Sequence, residues 1–81
     1  MPYFEFIWTI DIVQHLAEHG VSQEDFEHVV CFTSNKGYSR SSGLPAAWGH
    51  TMDGRYIMAI YEELDHLTIL PVTAYEVREP R

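Results

Sequence analysis

Residues 49–79, GHTMDGRYIMAIYEELDHLTILPVTAYEVRE, constrain this chain more than any other stretch. Strand-length runs rich in Ile, Tyr, Val and Thr alternate there with short polar breaks, the pattern of an antiparallel meander. Residues 46–51 make the first strand and 55–61 the second, and Asp53-Gly54 between them is a strong hairpin signal. Residues 62–65 make the next turn and 66–75 the last strand. Pro71 cannot donate a ladder hydrogen bond, so this strand lies at an edge, is bulged, or restarts at Val72. Three such strands need a partner layer to bury one face.

The first half of the chain supplies that layer. Phe4, Phe6 and Trp8 alternate with Tyr3, Glu5 and Ile7 at strand period. A helix follows, with Thr9 as N-cap, Asp11 in its first turn, and Ile12, Val13, Leu16 and Ala17 as its apolar stripe. Trp8 and Val13 fall at staple positions, and Gly20 ends the helix as the left-handed C′ residue. A second helix starts at once: Ser22 and Asp25 approximate a capping box, and Val21 and Phe26 the staple beside it. Phe26, Val29 and Val30 then face the core. Residues 33–35 break this helix, and 34–43 form a loop or a weak edge strand near Tyr38. The expected fold is α+β in one domain over residues 1–81, ordered β-α-α-β-β-β, with both helices packed on one face of a small antiparallel sheet.

The order of these segments resembles the BrnT family, small ribonuclease toxins of bacterial type II toxin–antitoxin pairs. Phe6-Ile7-Trp8 resembles the family's first strand, and Glu18-His19-Gly20-Val21-Ser22 its helix junction. Gly49-His50-Thr51-Met52-Asp53-Gly54-Arg55 matches the late hairpin, and Pro71-Val72-Thr73-Ala74-Tyr75-Glu76 the final strand. The resemblance implies metal-independent endoribonuclease chemistry and a ribbon-helix-helix antitoxin as partner. It also exposes directed departures. Glu18 stands where the family has Lys, His50 and Tyr75 where it has Arg, and the basic C-terminal helix shrinks to Val77-Arg78-Glu79-Pro80-Arg81. Metal-independent RNA cleavage needs a base for the 2′-hydroxyl, a donor for the leaving oxygen and cations for the phosphorane. The resemblance gives those roles to His19, His50 and Arg55, with Tyr75 able to replace one cation as a hydrogen-bond donor but not as a charge.

Charge argues against that chemistry. Twelve acids face five bases, for a formal net charge of −7. Phosphate-binding surfaces draw most of their affinity from clustered Lys and Arg. RNA is therefore expected to bind weakly if at all. His15 and His19 share a helical face with Asp11, which offers either a divalent-metal site or a polar solvent face, the commoner case. The single Cys31 excludes an internal disulfide and reads as a buried apolar thiol. Trp48, Met52, Met58 and the tyrosines read as core and sheet packing. No signal peptide or membrane span is present in the sequence, so a cytoplasmic location is the default expectation, with no cofactor and no membrane partner. The resulting expectation is a diverged BrnT-like protein, catalytically weak or inactive, acting through protein–protein contact. The alternatives are an active ribonuclease toxin and a small-ligand or metal-binding domain.

Overall fold

The computed structural model describes residues 4–79. Its elements in chain order are β1 (Glu5–Phe6), α1 (Ile10–Glu18), α2 (Gln23–Phe32), β2 (Asn35–Tyr38), β3 (Pro45–His50), β4 (Tyr56–Glu63) and β5 (Thr68–Glu76). Tyr3, Pro80 and Arg81, used in the sequence reading, lie outside the described residues. The strands form one sheet in the order β1-β5-β4-β3-β2. The fold is α+β, as its sequence pattern predicts.

Both helices pack on one face. Leu16 of α1 and Phe26, Val29 and Val30 of α2 join Ala47, Ile57, Ala59, Tyr61, Ile69 and Ala74 of the strands in a single buried cluster. Two close approaches bring the layers together. A side chain at Gly49 would meet Thr33 Cβ at 3.1 Å and Val29 Cγ1 at 3.3 Å, so a larger residue would press the end of α2 away from β3 by a few tenths of an ångström. At the other end, the sheet curls far enough to place the Lys36 ammonium of β2 5.4 Å from the ring of Phe4, beside the opposite edge strand. Ala17, expected in the apolar stripe of α1, is exposed; nine helical residues turn a narrower face to the sheet.

The helix ends are built as their local sequences dictate. Thr9 accepts from the Ile12 amide, and Ser22 and Asp25 exchange both hydrogen bonds of a capping box. Gly20 takes φ +76, with its amide on the Ala17 carbonyl and the Val21 amide on the Leu16 carbonyl. That is a Schellman ending, closed by the buried pair Leu16 and Val21. Substituting Ser22→Ala should lower stability by about 1 kcal/mol, read as a shift in denaturation midpoint at unchanged slope.

Several expectations change in detail. β1 runs parallel to β5, pairing Glu5 with Thr68 and Phe6 with Ile69, so the sheet is not wholly antiparallel. Asn35–Tyr38, weak in sequence, is a true edge strand against β3. The β3–β4 hairpin has a three-residue loop in which Met52 joins Asp53 and Gly54, the glycine at φ +90. Met52 is therefore 69% exposed rather than packed. The turn expected at 62–65 moves to 64–67, where the Asp65 carboxylate accepts the Leu67 and Thr68 amides. Those backbone bonds, with the Thr68 hydroxyl, hold its carboxyl below the usual range. Pro71 sits beside a bulge: Ile60 pairs with Thr73 but Tyr61 with Pro71, leaving Val72 as the extra residue. No helix among the described residues is long and apolar enough to cross a membrane.

Candidate functional site

Arg55 leaves the β3–β4 turn and points at the junction of the two helices. Its Nε donates to both oxygens of Asp53, its Nη2 to Asp25 at 3.0 Å, and its Nη1 to the Gly20 carbonyl. Each edge of the guanidinium thus has a protein acceptor. Asp25 is at the same time the carboxylate of the α2 capping box, and its side chain is only 16% exposed. Gly20 is the C′ residue of α1. One side chain therefore ties the hairpin to the end of one helix and the start of the next. Asp53 is held below the usual carboxylate range by the Thr51 hydroxyl and then by Arg55.

His19 is the C-cap of α1. Its ring stands 5.1 Å from that of His15 and 6.3 Å from that of Tyr75 on β5. His15 Nε2 is 2.9 Å from the Thr73 hydroxyl. The Tyr75 hydroxyl donates to Met58 Sδ at 3.5 Å. This cluster lies along the outer edge of β5, which β1 covers only at Thr68 and Ile69. Among the described residues no three His, Cys, Asp or Glu side chains gather as a metal site would require, and Asp11 does not complete one with the histidines.

His50 belongs to a different group. Its Nε2 lies 2.9 Å from Glu79, and its ring 5.0 Å from Tyr56, whose hydroxyl accepts from Asn35. A pocket of 330 Å³ opens beside it, lined by His28, Phe32, Thr33, Gly49 and Tyr56. The four sequence candidates thus fall into three settings: His19 touches Tyr75, Arg55 is enclosed by carboxylates and a carbonyl, and His50 pairs with the C-terminal segment. No described contact joins His50 to the other three.

Cys31, expected to be a buried thiol, is half-buried near the C-terminal end of α2. Burial and the neighbouring Glu27 carboxylate push its thiol up, against nucleophilic use.

The sheet face away from the core cluster carries a row of side chains whose strand alternation alone reads as packing. Trp48, Met58 and Tyr75 stand in register across β3, β4 and β5, and with Tyr38, Ser39, Arg40 and Ser41 they line a groove of 470 Å³. Their strand alternation is visible in the sequence; that they border a groove, while Ala46 and Ile60 on the same face are buried, is not. No protein-family model, curated protein or solved structure matches the chain.

Proposed function

We propose that this chain is a diverged BrnT-like protein that acts by binding another protein and has little or no ribonuclease activity. The observation that carries the reading is the engagement of Arg55 by two carboxylates and a backbone carbonyl. In the chemistry the resemblance implies, this guanidinium would stabilise a phosphorane, yet each of its three nitrogens already donates to Asp25, Asp53 or the Gly20 carbonyl, which leaves only the second hydrogens of Nη1 and Nη2 for a ligand. A dianionic transition state would have to displace two carboxylates, or be repelled by them. Losing one preorganised donor of this kind costs on the order of 10²–10³ in rate. The family Lys at Glu18 and the Arg at Tyr75 are absent as well, and the formal net charge of −7 opposes a polyanion. A small ribbon-helix-helix protein in the cytoplasm is the partner the resemblance favours.

The adjacent His15, His19 and Tyr75 side chains support the second reading, a residual ribonuclease. Incubating purified protein with mixed-sequence RNA between pH 5.5 and 8 separates the two. We expect no cleavage above the buffer control. Robust cleavage abolished by His19→Ala would establish the enzyme.

A further inference from the structure

We propose that the groove on the sheet face away from the core cluster holds a binding site for a small planar aromatic anion, with Trp48, Met58 and Tyr75 as its floor and Arg40 as its counter-ion. Trp48 pairs with Met58 and Met58 with Tyr75, so the three side chains form one row across adjacent strands. At a strand spacing of about 4.8 Å that row spans roughly 10 Å, the length of a fused two-ring system. The groove volume of 470 Å³ lies within the range of small-molecule sites.

The floor is built rather than incidental. A Cβ on Gly37 would meet the Trp48 six-membered ring at 3.3 Å, so the absent side chain on β2 allows the indole to lie across that strand. The Tyr75 hydroxyl donates to Met58 Sδ, which ties the other end of the row together. Arg40 stands on a loop closed by backbone bonds from Ser39 to the Leu44 carbonyl and from Gly43 to the Ser39 carbonyl. Ser39, 4% exposed, shares a hydroxyl contact with Ser41 beneath it.

Charge decides the class of ligand. Arg55 is enclosed by acids and Lys36 lies over Phe4. Arg40 makes no ion pair among the described residues, although the chain has twelve acids to offer. An unpaired guanidinium beside an aromatic floor is suited to a carboxylate or similar group attached to a ring that stacks on indole and phenol. The field of the whole protein, by contrast, favours cations. A groove that was merely apolar would therefore prefer a cationic aromatic ligand, and the two expectations have opposite signs.

The test is an NMR titration of the full ¹⁵N-labelled chain with naphthoate and, separately, with naphthylmethylammonium. Naphthoate should shift the Trp48 indole N–H and the Ser39, Arg40 and Ser41 amides along one saturating curve. The cation should bind roughly tenfold more weakly or worse, the factor expected for one charge-assisted contact. Arg40→Gln, at an exposed loop position, should abolish the preference with the spectrum otherwise intact. Gly37→Val should displace the indole and weaken naphthoate binding in a folded protein. Equal or tighter binding of the cation would overturn the proposal. So would naphthoate shifts centred on His28, Phe32 and Tyr56, the absence of saturable shifts, or an unchanged preference in Arg40→Gln.

Discussion

Phe26→Ala should cost about 3–5 kcal/mol, the range for removing a fully buried ring. Phe26 has no exposed surface and stands edge-on to Phe6 at 6.2 Å and to Trp8 at 5.5 Å. It is the place where the first strand, the approach to α1 and the face of α2 meet. Closing Trp8 over the gap would sacrifice the bond from its indole N–H to Glu27 at 2.7 Å. Small domains have a total stability of about 5–15 kcal/mol, so the variant should be close to unfolding at room temperature. Urea denaturation followed by circular dichroism checks this. Phe26→Leu should recover more than half of the loss, because a leucine fills much of the space without the aromatic edges. Equal losses for both variants would place the energy in ring geometry rather than in volume.

Arg55→Ala should be the most damaging change at a charged residue, at about 1.5–3 kcal/mol for the charge-assisted bonds it removes. The loss has a specific source. Asp25, little exposed, would keep its capping role but lose its counter-charge, and the Gly20 carbonyl would lose a donor. Arg55→Lys should rescue little of this, since an ammonium cannot reproduce the planar fork that serves Asp53, Asp25 and Gly20 together. Thermal melts of the three proteins at one salt concentration provide the comparison. A catalytic role for Arg55 predicts the opposite pattern, with stability nearly unchanged and RNA cleavage lost.

What was legible in the sequence was local. Thr9, Ser22 with Asp25, and Gly20 announce their roles within four residues, because caps are satisfied inside a single turn. Asp53-Gly54 marked the hairpin, though the loop length depends on where the ladder closes, and that moved Met52 into solvent. The parallel pairing of β1 with β5 was not legible: it joins the two ends of the chain, and strand period does not encode direction. The same division holds at the site. The Asp53 contact to Arg55 spans two residues and follows from the turn, whereas Asp25 and Gly20 lie 30 and 35 residues away. The sequence order put His19, His50, Arg55 and Tyr75 forward through a family resemblance, which says nothing of what each side chain is bonded to. Trp48 and Met58 read as packing because their alternation is that of any half-buried strand, and the groove they border depends on how the 38–41 loop sits over the face away from the core cluster, which no local pattern encodes.

The measurement that bears most directly on the account is a double-mutant cycle between Arg55→Ala and Asp25→Asn, scored by denaturant unfolding. The cycle subtracts the separate capping role of Asp25 and isolates its pairing with Arg55. A guanidinium committed to the fold predicts a coupling of about 1 kcal/mol or more, with the same absence of RNA cleavage in all four proteins. Additive losses, together with RNA cleavage that disappears in Arg55→Ala, would contradict it and return Arg55 to a catalytic role.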